Sequence, residues 1–241
     1  IDRIGTDTQF NGINIFSGGN NKATYADING SVNNFSDKTS IINNLQRSWL
    51  EQSEKIITEY FGIQANNEDL EIILEESIDG AATAFVQGTL GGGPLNLTLN
   101  IDMEEVSAIG VEWPSTLDQL IAHEMTHAVM FATTNVGSFE TWFTEGTAEF
   151  LPGGDDRVAS VLASGTSISE LVDNIDTARS GWETTNLNYA TAYTATRFLN
   201  EVIGGEGVKE TLQYLAADKT RTLDDYFSQA DITVDTAAGG E

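Results

Sequence analysis

The sequence predicts an α+β fold, with a small N-terminal β-sheet subdomain followed by a mainly helical one. Strand-like segments cluster between residues 70 and 102, whereas from Ser115 to about residue 229 nearly every segment has helical periodicity. The 241 residues are 40% apolar and contain no cysteine, so a sizeable core must be held by packing without disulfides.

Residues 1–22 are turn-rich and end in "SGGNN". A helix is expected over 38–61, with Ile41, Ile42, Leu45, Trp49, Ile56 and Tyr60 on its apolar stripe. "LEIILEE" (70–76) reads as a strand, and "AATAFVQG" (81–88) follows it. In "LNLTLNID", Leu95, Leu97, Leu99 and Ile101 alternate with Asn96, Thr98, Asn100 and Asp102, the period of a half-buried strand. A helix over about 115–132 starts after Trp113-Pro114, with Ser115 as N-cap and Asp118 in its first turn. Further helices are expected near 140–151, 156–163, 168–175, 187–203, 207–217 and 222–229, with Gly204-Gly205 stopping the one over 187–203.

Both histidines of the chain lie in the helix over 115–132, as His123-Glu124-Met125-Thr126-His127. Four residues turn an α-helix through about 400°, so the two imidazoles leave one face and can hold one Zn²⁺. Glu124 lies beside that face, within reach of a water at the remaining coordination position. Leu117, Leu120, Ile121 and Met125 form an apolar face that buries the helix. Two core histidines with an acid between them would cost desolvation without a return. Zinc needs a third protein ligand, and without cysteine or a third histidine that ligand is Asp or Glu. "TWFTEGTAEFL" (141–151) offers Glu145 and Glu149, again four apart; one would bind metal and the other hydrogen-bond a histidine N–H. Spacing does not rank the two, although Gly146 would let the backbone beside Glu145 approach the histidine helix closely.

H-E-M-T-H followed by W-F-T-E-G-T-A-E-F resembles the glutamate-zincin metallopeptidases, most closely the clostridial collagenase-like group, over about residues 113–203. The resemblance implies a zincin-like fold and hydrolysis of peptide bonds by a zinc-activated water. Carried over, Glu145 is the third zinc ligand, Glu149 the acid behind a ligand histidine, and Glu124 the general base. The link from His127 to Glu145 is shorter than in collagenases. The family's oxyanion-stabilising tyrosine falls in "NYATAYTATRFLNEV", as Tyr189 or Tyr193; a small residue three positions on, Ala192, favours Tyr189. The strand over 95–102 looks like the edge strand that would pair with an extended peptide.

The opening "IDRI", "TQFNG" and "SG" resemble the segment of bacterial flagellins just before their variable region. Together the two matches resemble the flagellinolysins, flagellins whose variable region houses a metallopeptidase. They imply a flagellin-like segment at 1–22, a zinc metallopeptidase domain at 23–235 and a return linker at 236–241. The expected setting is the extracellular surface of a bacterial flagellar filament. The expected partners are extracellular protein or peptide substrates, and other flagellin subunits through filament-forming ends absent from this chain.

Composition narrows the alternatives. A net charge of −26, from 37 Asp+Glu against 11 Lys+Arg, argues against a nucleic-acid partner. No apolar run is long enough for a membrane span, and the first residues do not read as a signal peptide. The acidity is in keeping with solubility outside a cell; the sharper reading is a Ca²⁺ site, with Asp102 and Glu104 as candidates. Two rival functions remain at this level: a catalytically silent surface decoration of a flagellin used for adhesion or antigenic variation, and a metal-dependent enzyme acting on something other than peptides.

Overall fold

A computed structural model describes residues 23–27, 35–45, 49–65, 68–75, 77–78, 83–89, 94–106, 116–204 and 206–229. The expected flagellin-like segment and return linker lie outside the described residues, as do Ser115 and Gly205.

The chain runs β1 (Ala23–Asp27), α1 (Phe35–Asn44), α2 (Leu50–Phe61), β2 (Leu70–Glu75), β3 (Ala84–Gln87), β4 (Leu97–Asp102) and the short α3 (Met103–Val106). After these come α4 (Leu117–Thr133), α5 (Thr141–Phe150), α6 (Asp155–Ala163), α7 (Ile168–Asp173), α8 (Ile175–Ser180), α9 (Asn186–Ile203), α10 (Gly207–Ala217) and α11 (Leu223–Gln229). Apart from α1 and α2, which join β1 to β2, strands precede helices, the expected α+β order.

The four strands lie in the order β1-β2-β4-β3. β1, β2 and β4 are parallel, with Leu70 opposite Leu97, and β3 runs antiparallel to β4 with Ala84 opposite Ile101. This corrects the expected edge strand: β4 is interior, paired on both sides, and among the described residues β3 is the edge. It also corrects the half-buried alternation. Asn100 and Asp102 are 5% and 1% exposed, although they fall on the polar phase of the strand. Their polar atoms are satisfied inside. Asn100 Nδ2 donates to Thr98 Oγ1 at 3.0 Å, and the Asp102 carboxylate accepts the backbone N–H groups of Ile78, Glu104 and Glu105 at 2.6–3.0 Å. The group considered for calcium therefore caps α3 and pins the loop at Ile78.

Within the helix expected over 38–61 the described segments are α1 and α2, with Leu45 and Trp49 between them in π-helical turns. Ile41, Leu45 and Leu50 are all buried, yet the five-residue step from Leu45 to Leu50 turns a continuous α-helix about 140° off one face. The wider π-helical turn at Leu45 and Trp49 shifts the phase, and α2 buries Leu50, Ser53, Glu54, Ile57 and Phe61. Trp49, Ile56 and Tyr60 of the expected stripe lie one residue behind this face, and Tyr60 is 60% exposed.

α4 begins two residues later than expected, with Thr116 as N-cap in a capping box with Gln119, whose side chain accepts the Thr116 N–H at 2.8 Å. From Ile121 to Met130 every residue but His127 is buried. A helix covered on nearly all sides sits in the interior. One hydrophobic core joins α4 (Ile121, Met125, Val129) to the sheet (Ile72, Leu99), α2 (Ile57, Phe61) and α10 (Leu212, Leu215). Lys219 Nζ donates to the Ala132 carbonyl at 3.0 Å, satisfying a C-terminal acceptor of α4.

The expected close approach at Gly146 is made to a different helix. A Cβ there would lie 2.2 Å from Thr196 Oγ1 and 2.3 Å from the Ala192 carbonyl oxygen, so α5 rests on the backbone of α9, not on α4. Gly146→Ala should push the two helices apart and cost about 1–3 kcal/mol, as overpacking does. A thermal melt should show a midpoint lower by several degrees and zinc titration a weaker site, since Glu145 is the adjoining residue; an unchanged melt would remove this packing from the account.

Candidate metal centre

His123 and His127 leave one face of α4, and α5 crosses in front of them. His123 Nε2 and His127 Nε2 lie 3.1 Å apart, and Glu145 Oε2 lies 3.2 Å from each. Tetrahedral zinc with bonds of about 2.0–2.1 Å separates its ligand atoms by about 3.3 Å, so this triangle fits. The donor chemistry fits as well. Three lone-pair atoms converge so closely that no set of pairwise hydrogen bonds satisfies all three edges. Among the described residues this is the group of His, Asp and Glu side chains that could hold a metal ion.

Glu149, one turn further along α5, contacts the opposite nitrogen of the first ligand: His123 Nδ1 lies 3.0 Å from Glu149 Oε2. An Nδ1–H donated there leaves the Nε2 lone pair for metal. What separates the two glutamates is therefore where α5 crosses α4. Glu149 Oε1 in turn accepts from Arg157 Nε at 2.5 Å. Arg157 also donates to Asn186 Oδ1 and places its guanidinium 4.9 Å from the Tyr189 ring centre. Sequence reasoning missed Arg157; its one signal was a basic residue within an acidic helix start, "DDRV".

Glu124 is buried beside the two histidines and accepts a hydrogen bond from the Val86 backbone. The Thr83 carbonyl faces β4, accepting the Asp102 N–H at 2.9 Å. Alternation along the strand then turns the backbone groups of Ala84 and Val86 outward, toward α4. The two candidate tyrosines separate. Tyr189 stands 6.1 Å from His123 and 5.3 Å from Trp182, ring centre to ring centre. Tyr193 packs against Phe150 and under Arg197. Two cavities meet at the centre, and His123, Glu124 and Tyr189 line both. Trp182, also missed in the sequence, lines the larger one.

Charges in the cluster reinforce one another. Burial opposes ionisation of Glu145 and Glu149, but His127 and His123 outweigh it for Glu145, holding it below the usual carboxylate range. His123 and Arg157 outweigh it for Glu149, at about 2. Burial likewise opposes charge on His123, yet its hydrogen bonds with Glu145 and Glu149 and the nearby Glu124 raise it to about 10. Glu124 is raised by its burial, against the pull of the histidines. The Tyr189 hydroxyl is raised by burial and by Glu145 and Glu124, which keeps it a proton donor at neutral pH.

Comparison of the chain with protein-family models, with curated proteins and with solved structures gives no match. The site therefore stands on its geometry.

Zinc titration should separate the glutamates. Glu145→Ala should lose the site, and Glu149→Ala should weaken it about 10–100-fold, the usual effect of removing a ligand's hydrogen-bond partner; the reverse order would exchange their roles. The raised His123 gives a second test. Without metal it carries its proton well above neutral pH, and as a ligand it must lose it. Calorimetry in buffers of different ionisation heat should show release of about one proton per zinc near pH 7–8, with affinity rising as pH rises. Binding without proton release would contradict the His123 assignment.

Proposed function

We propose that this chain is a zinc-dependent endopeptidase with a zincin-like fold, displayed on the surface of a bacterial flagellar filament. The observation that carries the enzymatic reading is the convergence of His123 Nε2, His127 Nε2 and Glu145 Oε2 within 3.1–3.2 Å, with buried Glu124 beside them. The antiparallel edge strand β3 beside the histidine helix supports the zincin-like reading. The filament location rests on the resemblance of residues 1–22 to flagellins.

Zinc, when bound, supplies a Lewis acid that polarises the scissile carbonyl and makes water a nucleophile near neutral pH. The chain's own residues do the rest. Glu124, with its raised proton affinity and its anchor to Val86, accepts the proton of the attacking water and delivers it to the leaving amine. Tyr189, held protonated, donates to the oxygen where negative charge develops. Glu149 and Arg157 keep His123 oriented. The outward backbone groups of β3 can pair with an extended substrate, and cavities on both sides of the centre suit cleavage within a chain.

Glu124→Gln should keep zinc and lose peptidase activity, because the carboxylate is the base and not a ligand. A chelator should abolish wild-type cleavage of a proteome-derived peptide mixture, and added Zn²⁺ should restore it. Zinc-loaded wild-type protein that cleaves nothing would leave a silent filament decoration. Equal loss of metal and activity in the variant would make Glu124 a ligand.

A further inference from the structure

The two cavities that meet at the metal centre differ greatly in size. The one on the His127 side measures about 760 Å³ and the one toward Pro152 about 80 Å³. A chain laid across the centre therefore places side chains into unequal spaces. The larger cavity has apolar walls on three sides: Phe85 and Val86 of β3, Phe131 near the end of α4 with Val136 and Phe139 after it, and Trp182. All but Val136 are only half-buried, so they turn apolar surface into the cavity. Phe139 is braced edge-on by Phe143, ring centres 5.7 Å apart, which fixes that wall.

The charged lining of this cavity, among the described residues, is acidic apart from the histidines: Glu105 besides Glu124 and Glu145. The basic group of the smaller cavity, Arg157, is engaged by Glu149 and Asn186. Neither space complements an acidic side chain, and the chain as a whole carries −26.

We propose that the larger cavity selects a bulky apolar side chain, aromatic or long aliphatic, on one side of the scissile bond, within a peptide whose neighbouring residues are neutral or basic. This rests on the peptidase reading, and its test separates the two. Decapeptide amides identical but for Phe or Ala, scanned position by position, are measured for cleavage by the zinc-loaded protein and for binding to zinc-loaded Glu124→Gln. On one flank only, Phe should exceed Ala about tenfold or more in both kcat/KM and affinity, as burial of a phenyl ring allows. Replacing an adjacent Lys by Glu should lower kcat/KM, and raised salt should narrow that difference.

Val136→Trp, which fills the cavity, should cut the ratio of Phe-peptide to Ala-peptide cleavage severalfold. Phe131→Ala, which opens it, should extend the preference to Trp and serves if the first variant does not fold. Equal treatment of Phe and Ala at every position overturns the proposal, as does a filled cavity that slows both peptides alike at unchanged zinc content. Preference in binding without cleavage keeps the pocket and removes the peptidase; cleavage without preference does the reverse.

Discussion

The organisation of this molecule depends on one convergence: two imidazole nitrogens of α4 and one carboxylate oxygen of α5 within 3.1–3.2 Å of one another. Helical geometry supplies the first two for little cost, since i and i+4 share a face. The third needs tertiary structure. α5 must cross α4 at Glu145, and its position is set from behind, where Gly146 lets it rest on the α9 backbone at Ala192. A residue without a side chain thus places a residue whose side chain matters.

Charge explains why the cluster is built as it is. Glu124, Glu145 and Glu149 are taken largely out of water, with Arg157 as the nearby guanidinium. With neutral histidines, three carboxylates against one guanidinium leave two negative charges, which a divalent cation would balance. A proton on His123 offsets part of this excess, and its raised proton affinity expresses the same demand. Arg157 links the parts, bonding the carboxylate behind His123 while standing against the Tyr189 ring.

Much of this was legible in the sequence, and what was not has identifiable causes. The span of α4 and most helices after Asp155 followed from the sequence pattern; α8, beginning where the helix expected near 168–175 should end, did not. His123, Glu124 and His127 followed from spacing. The position of β4 did not, because alternation within a strand says nothing about its neighbours; Asn100 and Asp102 look outward-facing until their partners are known. Glu145 and Glu149 share a face of α5, so only the crossing point distinguishes them, and it brings Glu145 to the Nε2 atoms of both histidines. Arg157 gave almost no signal, since its partners Asn186 and Tyr189 lie about 30 residues away along the chain. The apolar stripe over 38–61 misled in part because Ile56 and Tyr60 keep helical spacing on a face that α2 leaves exposed.

The central claim is that these three atoms bind one zinc ion. X-ray absorption at the zinc edge on protein of known metal content tests it most directly. The account predicts one zinc per chain, with two imidazole nitrogens and a carboxylate oxygen at about 2.0–2.2 Å, and loss of both imidazole signals in a His123→Ala, His127→Ala variant. A chain that holds no zinc, or whose zinc shows no imidazole scattering, would contradict it.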